Sequence, residues 1–245
     1  MFLSDLTWPA VEAYLQHKDG IIIPIGSTEQ HGPTGAIGTD AMLAEMIARQ
    51  VGDLTQAMVG PVLSIGIAEH HMAFPGTLSL RPTTLIALIT DYIASLAHHG
   101  FRHFYFVNGH GGNIATLRAA FSEIQSKQRQ SAVDYHICCT FINWYDVEGV
   151  VALRRKYYGE REGRHATPSE IAVVQYLRSD LIHSEPLPPP VPYQGEIQGA
   201  KDFREKYPDG RIAAYSSMAN PEQGKVLFDT AVKGIVKQVN QFFVG

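Results

Sequence analysis

The sequence predicts an α/β protein, a three-layer α/β/α sandwich with a largely parallel central sheet. Short apolar runs alternate along the chain with longer segments in which apolar residues recur at helical spacing. This alternation is typical of a sheet that carries helices on both faces. Polar loops follow three of the apolar runs, and in such sheets ligands bind beyond the carboxyl ends of the strands. The loops therefore indicate a site at one edge of the sheet.

Four apolar runs are predicted to be strands. Residues 21–25 are continuously apolar and rich in isoleucine, as expected of a strand that is buried on both faces. The other three predicted strands are residues 61–67, 104–107 and 133–141.

Amphipathic segments separate these strands and are predicted to be helices. They begin at Trp8 and Pro221 and also cover residues 40–50, 83–99, 114–124, 151–158 and 167–177. The helix predicted at residues 167–177 opens with Thr167 and Glu170 at the spacing of a capping box. Residues 187–192, with four prolines, and residues 194–219 are predicted to be irregular. Since no repeat or linker divides the chain, we expect one domain over residues 1–245.

The composition excludes several functional classes. A hydrophobic content of 45% and a net charge of −4 describe a globular protein without a basic surface for nucleic acid or an anionic membrane. No apolar stretch approaches the roughly 20 residues of a membrane helix, and no secretory signal begins the chain. The two cysteines, Cys138 and Cys139, are adjacent in a predicted strand and cannot form an ordinary disulfide. These features predict a cytoplasmic protein.

The loop after the first strand carries Glu29 and His31, and Asp40 follows at the start of the next helix. Zinc and manganese accept this mixture of carboxylate and imidazole ligands. Glu29 and His31 are two residues apart, so an extended backbone would project both to the same side. Asp40 can bridge two cations with its two oxygens. The sequence therefore predicts a metal site here.

Two further ligands are expected from later loops: His110, which lies between glycines, and Glu170, at a helix start. Five ligands with one shared carboxylate predict a pair of divalent ions, zinc first, with manganese or iron as alternatives. Such a pair lowers the pKa of a shared water and polarises a carbonyl, which is the chemistry of a hydrolase. Each residue also has an ordinary explanation: a surface ion pair for Glu29, a loop role for His31, a helix cap for Asp40, a turn for His110 and a capping box for Glu170.

Three segments resemble the creatininase (creatinine amidohydrolase) family: residues 26–33 with Thr39 and Asp40, residues 74–77, and residues 108–113. The resemblance covers nearly the whole chain. It implies the creatininase fold, a zinc or manganese pair, hydrolysis of a carbon–nitrogen bond and commonly a homohexamer. By motif position it implies that Glu29 and His110 hold one metal and His31 the other, with Asp40 bridging them.

The chain departs from the family pattern after His110. The family has an aromatic residue and a metal-binding glutamate there, where this sequence has Gly111 and Gly112. Glu170, five residues after His165, is the implied replacement ligand, and His165 is the implied proton donor to the leaving nitrogen. Without the aromatic residue the pocket lacks a surface for stacking a flat ring. The glycine-rich form is similar to family members that act on other substrates, namely formamide deformylases of cofactor biosynthesis and a peptidase of peptide-cofactor maturation.

The remaining predictions concern the surroundings of this centre. Glu162 is predicted to orient His165 by a hydrogen bond and so to serve catalysis. Ser64, Glu69 and Gly111 are predicted substrate contacts, although Glu69 or the adjacent His70 can equally have an ordinary surface role, and His71 is predicted to be plain loop. Trp144 and Tyr145 either wall the pocket or belong to the core or an oligomer contact.

The predicted function is hydrolysis of a small-molecule amide or cyclic amide by a homo-oligomeric enzyme that acts on carbon–nitrogen bonds other than ordinary peptide bonds. Two other classes remain open. One is a non-catalytic small-molecule binder. The other is a transferase that binds phosphate through the glycine-rich loop, although this loop lacks the Lys-Ser/Thr of a P-loop and the Rossmann glycine spacing.

Overall fold

The computed structural model describes residues 1–130, 136–183 and 185–244. A four-stranded sheet forms the centre, with strand order β2-β1-β3-β4 and every neighbouring pair parallel. The strands are β1 (Gly20–Ile25), β2 (Met58–Val59), β3 (His103–Asn108) and β4 (Cys138–Asn143). The parallel sheet confirms the predicted fold class.

Eight α-helices lie within the described residues. They are α1 (Trp8–Leu15), α2 (Thr39–Thr55), α3 (Pro82–His98), α4 (Ile114–Gln130), α5 (Glu148–Tyr157), α6 (Pro168–Leu177), α7 (Ala200–Lys206) and α8 (Pro221–Val244). No helix of this part of the chain is long and apolar enough to cross a membrane. Cys138 and Cys139 are both free thiols in β4, as the sequence predicted.

The helices cover both faces of the sheet because successive side chains of each strand point to opposite sides. Ile22 and Tyr105 pack with residues of α2, α5, α6 and α8. Ile21 and Phe104 pack with residues of α1, α3 and α4 on the other face. All three isoleucines at 21–23 are fully buried, and burying such a side chain stabilises a fold by about 1.5–3 kcal/mol. The three layers are thus those predicted.

The second strand was wrongly predicted at residues 61–67. The ladder with β1 is instead made by Met58 and Val59, and beyond Pro61 only Leu63 forms a bridge, to Ile25. Proline has no N–H for the ladder, which explains why regular pairing stops before it. The chain nevertheless stays beside β1, so the loop that follows still reaches the carboxyl edge of the sheet.

Other boundaries also differ from the prediction. The first three residues of the predicted strand 133–141 lie outside the described residues, and β4 begins at Cys138. Helix α5 begins three residues before the predicted position 151. Helix α7 lies in a segment predicted to be irregular. The buried side chain of Phe203 anchors this helix by packing edge-on against Phe74, a tertiary contact that local sequence does not show.

The carboxyl ends of three strands are aligned and tied together by amides. Ile25 pairs with Asn108, which in turn pairs with Asn143. The Nδ2 atom of Asn108 donates to Oδ1 of Asn143 at 2.7 Å, and Nδ2 of Asn113 donates to the carbonyl of Gly26 at 2.9 Å. The loops that leave these strands therefore start from one rigid edge.

Candidate metal centre

Glu29 and His31 occupy the loop after β1, and both are buried, with 1% of their surface exposed. The Ser27 hydroxyl donates to Oε2 of Glu29 at 2.9 Å. Nδ1 of His31 lies 3.0 Å from the backbone carbonyl of Glu29 and donates to it. This bond leaves Nε2 of His31 facing the centre, as the nitrogen that would bind a metal once its proton is lost.

Asp40 is the second residue of α2, and its two oxygens face two different histidines. Oδ1 lies 3.2 Å from Nε2 of His31, and Oδ2 lies 3.0 Å from Nδ1 of His110. The N-cap of α2 is Gly38, and no side-chain cap bond is formed there. The helix approaches β3 closely, since a Cβ at Gly109 would lie 2.2 Å from the Asp40 carbonyl. The carboxylate therefore faces the two histidines and does not cap the helix.

His110 follows β3, and its ring, like that of His31, is oriented by a hydrogen bond to a backbone carbonyl. Its Nε2 donates to the carbonyl of Ile67 at 2.8 Å, so Nδ1 is the free nitrogen. Nδ1 lies 3.3 Å from Oε1 of Glu29 as well as beside Asp40. Metal-binding histidines commonly donate their other nitrogen to a carbonyl or carboxylate, which fixes the tautomer. Both His31 and His110 meet this condition.

Glu170 reaches the centre from the first turn of α6. The capping box with Thr167 is present, and Oε1 of Glu170 accepts from the Thr167 backbone N–H at 2.5 Å. The same oxygen lies 4.0 Å from Nε2 of His31. Glu170 therefore caps the helix and lies beside the centre with the same carboxylate.

Two groups of potential ligands result, each with atoms within 4.8 Å of one another. The first is Glu29, Asp40 and His110, and the second is His31, Asp40 and Glu170. Asp40 belongs to both groups. The structure thus brings together all five residues that the sequence predicted as ligands.

One buried oxygen and the types of donor atom indicate that the cluster fits divalent ions. Oδ2 of Asp40 is buried and accepts no hydrogen bond from the described residues. An unsatisfied buried carboxylate oxygen is costly, and a coordinated cation removes that cost. The carboxylate and imidazole donors are those that zinc and manganese accept.

Charges within the centre compensate one another in the absence of metal. Burial opposes the charged form of His31, but Asp40 beside it raises the pKa of His31 to about 10. Burial likewise opposes the charged form of Asp40, but His31 and His110 hold its pKa below the usual range. Burial raises the pKa of Glu170 to about 7. Protons therefore occupy positions that a divalent cation would take.

His165 lies against the first ligand group. Its Nε2 donates to the carbonyl of Gln30 at 2.8 Å, and its Nδ1 lies 3.8 Å from Oε1 of Glu29. With Glu29 and His31 it forms a third group of potential ligands. Burial and the neighbouring His31 lower the pKa of His165 to about 4. The imidazole is therefore neutral near pH 7, with the Nδ1 lone pair directed inward.

Glu162 does not orient His165, contrary to the prediction. Its Oε1 accepts from Nε of Arg154 at 2.8 Å and from the Ser169 hydroxyl. Glu162 ends a 3-10 turn, and the left-handed Gly163, with φ of 69°, redirects the chain after it. The three-residue spacing therefore places the two side chains in different surroundings.

The five residues predicted as ligands line a cavity of about 250 Å³. Gly111, a predicted substrate contact, lies in the cavity wall, and so do Trp144 and Tyr145. Ser64 and Glu69 are not among the lining residues. Ser64 accepts a hydrogen bond from Thr28 through its carbonyl, and Glu69 is exposed.

His71 was wrongly predicted to be plain loop. It is buried, with 1% of its surface exposed, and its Nε2 lies 3.4 Å from Oε1 of Glu29. Nε2 of Gln30 donates to Nδ1 of His71 at 2.9 Å, so the Nε2 proton of His71 points to Glu29. The Gln30 amide is itself oriented by the Gly32 N–H, which donates to its Oε1 at 2.8 Å. The position of Gln30 between two ligands in the sequence was the one available signal.

Packing around His110 explains why position 112 is glycine. A Cβ there would lie 2.3 Å from Nε2 of His110 and 2.4 Å from the carbonyl of Ile67. A side chain would therefore disrupt the hydrogen bond that orients the imidazole. The nearest atom to a Cβ at Gly111 is the Tyr145 hydroxyl at 3.5 Å, so position 111 has space.

The fold and the site together define a class, an α/β protein with a carboxylate–histidine centre suited to a metal-dependent hydrolase. The sequence model of one family, described as Creatininase: Creatinine amidohydrolase, matches residues 4–239. The chain belongs to the creatininase family.

Individual relatives differ in how much of the chain they match. A mycofactocin precursor peptide peptidase of Mycobacterium ulcerans is 37% identical over 51% of this chain, which spans 49% of that relative's length. The creatinine amidohydrolase of Pseudomonas putida is 24% identical over 99% of this chain and 97% of its own. A solved creatininase mutant of the Zn-Zn type has a TM-score of 0.88 at 23% identity and covers 99% of this chain and 98% of its own. This last similarity supports the fold.

Proposed function

We propose that this protein is a dimetal hydrolase that cleaves a carbon–nitrogen bond in a small amide or cyclic amide. The observation that carries the proposal is the position of Asp40, whose two oxygens belong to two separate groups of ligands. Glu29 and His110 would hold one ion, and His31 and Glu170 the other. Zinc is the proposed metal, with manganese or iron as alternatives.

The residues of the chain divide the catalytic work. Bound divalent ions would supply an activated water and polarise the substrate carbonyl. His71 directs its Nε2 proton to Oε1 of Glu29 and keeps this carboxylate in position. Gly111 and Tyr145 would contact the substrate from the cavity wall. Trp144 closes the same side.

His165 is proposed to move the proton. Because its imidazole is neutral with Nδ1 unprotonated, it would first accept at Nδ1 the proton that the attacking water loses. That proton would then pass to the departing nitrogen. The hydrogen bond from Nε2 to the Gln30 carbonyl keeps the ring oriented through both transfers.

A peptidase is a second candidate. It is favoured by the 37% identity to the mycofactocin precursor peptide peptidase, although this covers only half of each chain. The absence of a side chain at Gly111 leaves space in the wall of the cavity on that side. A peptide bond would present the same carbonyl and nitrogen to the centre as a small amide does.

Metal content and turnover test the proposed function together. The purified protein would be loaded with zinc, dialysed and analysed, and then assayed with cyclic amides, formamides and short peptides. We expect two ions per chain and hydrolysis of at least one amide, both lost in Asp40→Ala. Fewer than one ion per chain after loading would refute the dimetal centre, and metal without any turnover would favour a binding protein.

We further propose that the chain is one domain, that it forms a homo-oligomer, a hexamer by family resemblance, and that it acts in the cytoplasm. The free thiols of Cys138 and Cys139 suit a reducing compartment. Light scattering of the purified protein at micromolar concentration measures the assembly. A monomeric mass would contradict the proposed oligomer.

A further inference from the structure

Two guanidinium groups, Arg154 and Arg164, line the same cavity as the proposed metal ligands. Neither can be a ligand, because a guanidinium has no lone pair to offer and does not lose its proton in proteins. A cation beside a divalent metal centre is repelled by it. Such a residue therefore needs an anionic partner, either in the protein or in the ligand.

Arg154 has its partner within the protein. Its Nε donates to Oε1 of Glu162 at 2.8 Å, and its Nη1 donates to the carbonyl of Tyr145 at 3.1 Å. Glu162 is buried and also accepts from Ser169. The charge of Arg154 is thus compensated, and its contacts fix the wall of the cavity.

Arg164 has no such partner. No carboxylate of the described residues lies within 4 Å of its guanidinium. The guanidinium carbon lies over the Tyr193 ring, 3.7 Å from its centre, in a cation–π contact. This contact occupies one face of the guanidinium and leaves its N–H edge available to bind a planar anion with two parallel hydrogen bonds.

The backbone places Arg164 next to the catalytic position. Its N–H donates to the carbonyl of Ile212 at 2.9 Å, and the adjacent His165 bridges the same residue in antiparallel fashion. The side chain is therefore anchored one residue from the imidazole proposed to transfer the proton. A substrate that places its amide at the metals would have another part of its structure near Arg164.

The local charge balance points the same way. The three carboxylates in the cavity wall are Glu29, Asp40 and Glu170, all assigned to metals. Two divalent ions would more than neutralise them. Arg164 then adds an uncompensated positive charge at the accessible side of the cavity, which favours a negatively charged substrate.

We propose that Arg164 binds a carboxylate of the substrate and so makes the enzyme selective for amides that carry a free carboxyl group, such as acylated amino acids and peptides. This inference rests on the proposed function, because it adds a carboxylate to the description of the amide substrate. Tyr193 restricts the guanidinium, so that less side-chain freedom is lost when the carboxylate binds.

Matched ligand pairs test the proposal by binding as well as by turnover. The zinc-loaded protein would be titrated with N-formyl-alanine and N-formyl-alaninamide, and with a tetrapeptide and its C-terminally amidated form. Arg164→Gln is the test variant. Arg161→Gln is the control, because Arg161 is an exposed neighbour that faces Tyr215 and does not line the cavity.

We expect the wild type and Arg161→Gln to bind the carboxylate member of a pair about tenfold more tightly than the amide, as a charge-assisted pair allows. Arg164→Gln should lose this preference while its affinity for the amide member and its metal content stay unchanged. If a substrate pair is hydrolysed, the loss should appear in KM and not in kcat.

Equal affinity for both members in the wild type would overturn the proposal. So would a preference that persists in Arg164→Gln, because the carboxylate would then bind the metals. Selective binding without hydrolysis would support the role of Arg164 while refuting the proposed hydrolase function. Hydrolysis without selectivity would have the opposite meaning, and the two failures are therefore distinguishable.

Discussion

The Nδ1 atom of His110 lies 3.0 Å from Oδ2 of Asp40, an oxygen that accepts no hydrogen bond from the described residues. The other nitrogen of His110 is held by a backbone carbonyl, so Nδ1 of the neutral ring carries a lone pair and two acceptors would face each other in a buried site. A proton or a cation between them removes this unfavourable contact. Burial opposes the charged ring, but Glu29 and Asp40 raise the pKa of His110 well above its ordinary value, so a proton takes this place in the metal-free protein and a cation can replace it.

Asp40→Asn tests the shared carboxylate with almost no change of volume. An amide cannot bridge two cations, so we expect fewer than one zinc per chain. Activity should fall at least a hundredfold, because the loss of a residue that only supports a ligand already lowers it by up to about a hundredfold. Elemental analysis and steady-state kinetics measure the two effects. Asp53→Asn, at an exposed position, is the control. Retention of two ions by Asp40→Asn would contradict the bridging role.

His71→Phe tests the support of Glu29. The phenyl ring keeps the buried volume but has no proton for Oε1 of Glu29 and no acceptor for Gln30. Loss of such a supporting bond typically lowers metal affinity about 10–100-fold. Zinc affinity would be measured by competition with a chelator. His99→Phe provides the same change on the surface and should leave affinity unaltered. An unchanged affinity in His71→Phe would show that Glu29 needs no such support.

Two of the proposed ligands were predictable because they follow parallel strands that are neighbours in the sheet. Glu29 comes after β1 and His110 after β3, and the carboxyl ends of adjacent parallel strands are aligned. That rule alone brings the two side chains together. Glu170 lies far along the chain, and it was predicted first as a further carboxylate at a helix start and then as a replacement ligand from the family pattern.

His71 was not predictable in the same way. Its position depends on a short 3-10 turn at Glu69–His71 that packs on Phe203, whose ring centre is 4.7 Å from that of His71. Phe203 belongs to α7, which has a single buried residue and no periodic pattern to reveal it. The edge strand was misplaced for a different reason, since residues 61–67 are apolar but Pro61 ends the regular ladder made by Met58 and Val59.

Gly112→Glu would restore the family's glutamate, and we expect it to fail as a replacement ligand. Its Cβ would collide with Nε2 of His110 and the carbonyl of Ile67, and overpacking of this kind costs roughly 1–3 kcal/mol. Urea unfolding of the metal-free protein measures the loss. Gly111→Ala is the control, since its Cβ meets only an ordinary contact, and its free energy of unfolding should change by less than about 0.5 kcal/mol. Equal stability of both variants would disprove the steric explanation.

Metal uptake should release protons, and the number should depend on pH. The pKa of His31 is raised to about 10, so it is protonated at pH 8 in the metal-free protein and must lose that proton to bind zinc. Glu170, with a pKa of about 7, contributes a further proton at pH 6 and little at pH 8. Apparent affinity should therefore rise with pH, while proton release falls between pH 6 and pH 8.

The raised pKa of His31 also determines how the stability of the metal-free protein changes with pH. Since the folded pKa of His31 lies above its ordinary value of 6.5, its contribution to stability is complete below about pH 6.5 and is lost as the pH approaches 10.

Calorimetric titration with zinc in buffers of different ionisation enthalpy counts the protons released on metal uptake. The His31→Gln variant should release at least about 0.5 fewer protons at pH 8, because it lacks the group that titrates. Proton release independent of pH and unaltered in His31→Gln would show that His31 binds zinc without having been charged.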